Sequence, residues 1–237
     1  MEYLDLSYDV QFASRPSLPW LPWVGKDFAH SAVKTMVLGE SVYEWNPAKG
    51  SAGKLFAEPS GLRVLHRSCS MDFKRESKYV RNIERAIFQA TRPKPEQKSR
   101  FWTSVVYHDL VLDLLASRRH RPKPEQFNDG WREVFDLWGI LGIEQCLVYG
   151  VQSADELKVA CEARGLPCTV KKLKTKVGQC APRYGTVTVN GREVRLLFVR
   201  HPSRCFSWRK WGPIIRGQLS VDFLATGPAL AVSASSA

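Results

Sequence analysis

Two short loops about one hundred and sixty residues apart constrain this chain more than anything else in it. The apolar run Thr35–Leu38 breaks at Gly39-Glu40-Ser41-Val42-Tyr43, and the run Val194–Val199 breaks at Arg200-His201-Pro202-Ser203. Each has the form of a parallel strand running into its loop. Ligands of open α/β sheets bind beyond the carboxyl ends of the strands. An acid and a histidine at two such ends can therefore face one pocket.

The chain between and around these loops alternates strand-like and helix-like patterns. Ser77–Gln89 spaces Val80, Ile83, Ile87 and Phe88 as an amphipathic helix does, Trp131–Leu141 reads as a second helix, and Ser153 is placed to cap a third. Trp102–Tyr107 and Cys146–Tyr149 read as strands. Residues 185–199 read as a hairpin, because Asn190-Gly191 suits the two positive-φ positions of a type I′ turn. Trp211–Phe223 reads as a closing helix. Three stretches read as loops: the Pro- and Gly-broken Trp45–Leu62, the basic Ala90–Arg100, and Arg118–Pro124. The first is long enough to suggest function, and it lies beside the Gly39 loop. No internal repeat is read. Strands alternating with helices predict a three-layer α/β/α sandwich around a central, mostly parallel sheet. The expected organisation is a Pro/Trp-rich extended arm over residues 1–30, in which the prolines forbid helix, one α/β domain over 31–224, and a flexible tail over 225–237.

The formal charge is +12 and the pI about 9.6, so a polyanion is the first partner to consider. Nucleic acid fits better than a membrane: no apolar run is long enough to span a bilayer, and no secretory leader pattern opens the chain. The six cysteines, Cys69, Cys146, Cys161, Cys168, Cys180 and Cys205, contain no Cys-x-x-Cys pair. A cytoplasmic protein with reduced thiols and no metal site is therefore expected.

Either loop alone has an ordinary explanation, a tight turn with a solvated glutamate or a structural histidine. Together, with the right strand before each, they resemble the uracil-DNA glycosylase superfamily. There a Gly-Gln-Asp-Pro-Tyr-His or Gly-Glu-Ala-Pro-Gly motif follows the first core strand, and His-Pro-Ser follows the last. Gly39-Glu40-Ser41-Val42-Tyr43 looks most like a bacterial branch whose first motif begins Gly-Glu-Ser-His-Tyr. The segment from Trp102 to Val111, followed by Arg121-Pro122, resembles the family's strand ending in a base-reading asparagine and its Arg-Pro loop. The resemblance spans roughly residues 20–220, carried by these short motifs.

The resemblance implies a monofunctional DNA glycosylase, monomeric and without a cofactor. By it, Glu40 positions or polarises the attacking water, with Ser41 beside it in a share of the work the motif leaves open. Tyr43 crowds the 5-methyl group of thymine, and His201 hydrogen-bonds uracil O2 as the glycosidic bond breaks. Arg204, Phe206 and Trp208 lie where the family carries a wedge that enters the duplex. Ser203, Arg209, Lys210, Arg119 and Arg121 are the expected DNA contacts, basic residues interleaved with aromatics. Phe56 and Phe73 are the candidates to stack on a flipped base.

Two departures sharpen the expectation. Asp109 stands where the family has asparagine, and an ionised carboxylate only accepts hydrogen bonds. It would repel uracil O4 unless protonated, and would accept from an exocyclic amine instead; the other reading of Asp109 is a turn cap. Val42 stands where relatives have histidine or proline. Both leave open a catalytically altered member that only binds bases or nucleic acid. A basic α/β protein with a protein partner would need the paired motifs to be coincidence.

Overall fold

The computed structural model describes residues 2–74, 77–203 and 205–221. In chain order the elements are α1 (Asp9–Ala13), β1 (Trp23–Val24), β2 (Thr35–Gly39), β3 (Val42–Tyr43), α2 (Ser51–Phe56), α3 (Gly61–Ser70), α4 (Lys78–Phe88), α5 (Pro95–Thr103) and β4 (Val106–Asp109). There follow β5 (Leu114–Leu115), α6 (Pro124–Leu141), β6 (Gln145–Tyr149), α7 (Ser153–Ala163), β7 (Cys168–Lys172), β8 (Arg183–Val189), β9 (Arg192–Val199) and α8 (Trp208–Gln218).

Seven strands form one sheet in the order β1-β4-β2-β6-β9-β8-β7. The four at its centre, β4, β2, β6 and β9, are mutually parallel. Strands β8 and β7 add antiparallel on one side and β1 on the other, so β7 again points the way the centre does. The central strands are buried on both faces, which is why they read as continuous apolar runs. Met36, Leu38, Val106, Val148 and Phe198 pack on α6 and α7. Val37, Tyr107, Leu147, Tyr149, Leu197 and Val199 enter the opposite layer with α3, α4, α5 and α8. The architecture is thus a mixed α/β fold with helices on both faces of a mostly parallel sheet.

Several sequence expectations hold here, and several are corrected. The hairpin turn has Asn190 at φ +51° and Gly191 at +75°, as a type I′ turn requires. The stretch 45–62 is not a loop throughout: α2 forms within it, and the Glu44 carboxylate accepts the amides of Ala52 and Gly53 at the start of that helix. The basic stretch 90–100 opens α5, which continues through Thr103, so the second core strand begins only at Val106. Helix α6 likewise starts at Pro124. Both helices open on the same six residues, Arg-Pro-Lys-Pro-Glu-Gln, at 92–97 and 121–126, an internal repeat after all. The proline that suggested a break sits at the first helical position, where its missing N–H costs nothing. The glutamine two residues later accepts the cap amide, Lys94 N–H to Gln97 Oε1 at 2.8 Å and Lys123 N–H to Gln126 Oε1 at 2.9 Å.

Ser153 is the first residue of α7 and not its cap; its hydroxyl donates to the Gly150 carbonyl. Helix α8 runs Trp208–Gln218, and Phe223 lies outside the described residues, as does the expected tail. Residues 1–30 are not free of helix, since α1 precedes the prolines. The segment packs into the sheet and its helices. Trp23 and Val24 form the sheet edge against Tyr107 and Val106 and are fully buried. From α3, Arg63 grips Asp9 with both terminal nitrogens (2.9 and 2.6 Å) and the Pro22 carbonyl through Nε (2.7 Å). His108, fully buried in β4, sets its ring nitrogens 2.6 Å from the Asp109 carbonyl and 3.0 Å from that of Trp20. Among the described residues, no helix is long and apolar enough to cross a membrane.

Candidate functional site

Strand ends β2, β4, β6 and β9 meet at one end of the sheet, and the polar residues gather there. Gly39 and Asp109 are register partners. A Cβ on Gly39 would stand 2.0 Å from Asp109 Oδ1 and 2.6 Å from the Tyr107 hydroxyl, so only glycine leaves space for that pair. The Tyr107 hydroxyl donates to Asp109 Oδ1 at 3.1 Å. Tyr107 is in turn stacked between His66 (4.2 Å between centroids) and Tyr79 (5.9 Å).

The next residue, Glu40, is also buried, 5 % exposed. Its Oε2 lies against Gly150 at the end of β6, where a Cβ would come within 2.7 Å. Its Oε1 meets Arg121 at 3.0 Å and accepts a long hydrogen bond, 3.4 Å, from the Tyr43 hydroxyl. Arg121 also donates to Gln152 Oε1 at 3.2 Å, so its guanidinium spans the rim from Glu40 to the loop after β6.

Two strands from β2, the loop after β9 presents His201. The Ser203 amide donates to its Nδ1 at 3.2 Å, and the Ser203 hydroxyl lies 2.8 Å from the same atom. A backbone N–H can only donate, so Nδ1 is unprotonated and a neutral ring carries its proton on Nε2. Tyr149 packs edge-on against the imidazole at 5.9 Å. Asn82 of α4 fixes the loop by donating to the Pro202 carbonyl at 2.6 Å.

Burial governs the protonation states. Loss of solvent pushes Asp109 up to about 7, assisted by the nearby Glu40 charge and opposed by the Tyr107 hydrogen bond. Desolvation also raises Glu40, while Arg121 and Tyr43 oppose the rise. His201 is held down to about 4 by burial and by the Arg121 charge. Burial thus favours the neutral form of Asp109 and of His201, while Glu40 faces the Arg121 guanidinium.

The structure thus brings Glu40, Tyr43, Asp109, Arg121 and His201 together, with the Ser41 hydroxyl buried beside Tyr43. Among the described residues, Phe56 and Phe73 make no contact with these groups. Phe56 is packed edge-on to Trp20 and Trp45 in the core. Phe73 is half exposed at φ +52°, with the Lys98 ammonium over its ring. Phe206 is stacked on Trp211, 5.7 Å between centroids, and so does not stand free. Trp208 is half-buried beneath the Arg209 guanidinium, and Lys210, Arg119 and Ser203 are exposed; Arg204 lies outside the described residues.

Sequence reasoning missed Tyr107, Tyr149 and Gly150. Tyr107 stands two residues before Asp109, hence on the same sheet face, and Gly150 closes a strand, so both carried a readable signal. Two clefts elsewhere are unrelated to this cluster. One lies under Thr35 and Gln145 at the amino ends of the strands, the other beside Trp138 and Asn190. No family model and no curated protein matches this chain, so its resemblance to a family rests on the short motifs alone.

Proposed function

We propose that this protein is a DNA glycosylase that flips a deaminated base, uracil or a close relative, out of the helix and hydrolyses its N-glycosidic bond. The observation that carries this reading is the convergence of Glu40, Asp109 and His201 from three strands of one parallel sheet at its carboxyl end.

Base chemistry inside a duplex requires extrusion of the nucleotide, at a cost of a few kcal/mol. Breakage of the glycosidic bond leaves positive charge on the sugar and negative charge on the base. Glu40, against the sugar, stabilises the first and orients the attacking water. His201 Nε2–H donates to O2 and stabilises the second; a neutral donor suits this because its proton is not already lost to a neighbouring anion. One good donor of this kind lowers the barrier by about 3 kcal/mol.

Asp109 then has a defined task. A protonated carboxyl presents one donor and one acceptor, the pattern of an asparagine amide. In that state it donates to O4 and accepts from N3–H of uracil, and Tyr107 fixes the accepting oxygen. A second reading, a base-binding relative that has lost catalysis, is favoured by Val42, which is buried and apolar where relatives place a polar group or proline.

Oligonucleotides carrying uracil, hypoxanthine, xanthine or a thymine mismatch, incubated with the protein and then treated with alkali, separate the readings. Strand scission at uracil, reduced 10²–10³-fold (roughly) in Glu40→Ala and in His201→Ala, is the expected outcome. Binding without scission on every substrate would leave the non-catalytic reading.

A further inference from the structure

One strongly basic segment of the chain lies outside the cluster described so far. From Pro167 to Arg183 there are five cations and no Asp or Glu. Lys171, Lys172, Lys174 and Lys176 are all exposed, and none has an acidic partner among the described residues. Arg183, the fifth, is paired with Asp155.

Topology puts these lysines at the functional end of the sheet. β7 points the same way as the central strands, so its last residue and the loop after it emerge on the side of Glu40, Asp109 and His201. Cross-strand register links Lys171 to Tyr184 and Tyr184 to Leu197. Leu197 faces the layer that holds Tyr149 and Val199, so Lys171 stands on the face that His201 also shares with Tyr149. Neighbouring strands lie about 4.8 Å apart and rise about 3.3 Å per residue, which sets Lys171 roughly 16 Å from His201, with Lys174 and Lys176 further toward the site end.

The loop is held in shape. Leu173 N–H donates to the Pro182 carbonyl at 2.9 Å, and Val177 and Cys180 exchange backbone bonds of 2.9 and 3.2 Å around Gly178 at φ +59°. Val177 buries its side chain in the same apolar layer as Val199. Lysines on an edge strand also guard it against pairing with other chains. That accounts for Lys171 and Lys172 but not for Lys174 and Lys176, which lie beyond the strand.

We propose that the β7–β8 loop is a second clamp for DNA, holding backbone phosphates of the strand whose base enters the Glu40–Asp109–His201 site, about three to five nucleotides from that base at about 3.4 Å per step. The inference rests on the DNA reading of that site but not on catalysis there. Each phosphate neutralised releases counterions, so the clamp adds affinity that falls steeply with salt.

The test is fluorescence-anisotropy titration of Lys174→Gln/Lys176→Gln against two uracil duplexes, one long and one cut back to the nucleotides flanking the uracil. Arg192→Gln, at the opposite end of the sheet, serves as the control. The double variant is expected to lose about tenfold in affinity for the long duplex and little for the short one, with the slope of log K against log salt falling by about one to two. The same length-dependent loss in a protein that excises no base would uphold the clamp while overturning the glycosylase reading. Equal loss on both duplexes, no loss on either, or a loss confined to binding of phosphatidylserine vesicles would overturn the clamp.

Discussion

Asp109 is the residue whose chemistry decides most. Its carboxyl is held up to about 7, against an ordinary value of 3.8, because it is buried. The folded state therefore keeps a proton that the unfolded chain releases from pH 4 upward. Stability associated with this group is fully present below about pH 4 and is lost as pH rises through about 7, by an amount on the order of 4 kcal/mol. Asp109→Asn is expected to raise the urea midpoint at pH 8 and to leave it unchanged at pH 4. Uracil excision by the native protein is expected to fall above pH 7, whereas the asparagine variant stays flat there. Excision that rises as Asp109 ionises would instead mark a base with an exocyclic amine as the substrate. Gly39→Ala forces a methyl group into the space of Asp109 Oδ1. A loss of about 1–3 kcal/mol in stability, together with loss of excision, is the expected outcome in paired denaturation and cleavage assays. The placement of Glu40 and His201 at strand ends was legible in the sequence because each follows an apolar run that ends in turn residues. The rest of the site was less so: the Arg121–Glu40 bridge joins residues far apart in the chain, and the stacking of Tyr107 between His66 and Tyr79 depends on packing from two helices.

At the scale of elements, local sequence misled where proline was read as a breaker. Pro95 and Pro124 start helices instead, and the repeated hexapeptide works because glutamine three residues past the cap position satisfies its amide. Gln97→Ala and Gln126→Ala are each expected to cost about 1 kcal/mol in chemical denaturation, with hydrogen exchange rising first in the opening turn of α5 or α6 respectively. The two copies differ in the use of their leading arginine: Arg121 reaches Glu40, whereas Arg92 is exposed. Strands β2, β6, β8 and β9 were readable because they are long, apolar or bounded by a diagnostic turn. β1 and β7 were not, since two residues give no periodicity and an exposed edge strand bearing threonine and lysine gives no apolar face. Helix α3 does more than pack. Arg63→Ala frees Asp9 and the Pro22 carbonyl together, and a loss of about 2 kcal/mol is expected in urea unfolding, with faster exchange in residues 3–24.

Across the whole molecule, the first thirty residues contribute to the core itself. Phe12, Trp20, Trp23, Val24 and Phe28 are all nearly or fully buried. At about 2 kcal/mol each their burial contributes roughly 10 kcal/mol, comparable to the net stability of a typical domain. A protein beginning at residue 31 is expected to be unfolded by circular dichroism, which checks this contribution directly. The strand order has a further consequence for biosynthesis. β9 lies next to β6 near the middle of the sheet, yet among the described strands it is the last to be translated. The Glu40 and Asp109 half of the site leaves the ribosome long before His201 does. A chain that stops before β9 holds Glu40 and Asp109 without His201, so the two halves of the cluster meet only after that strand has been added beside β6.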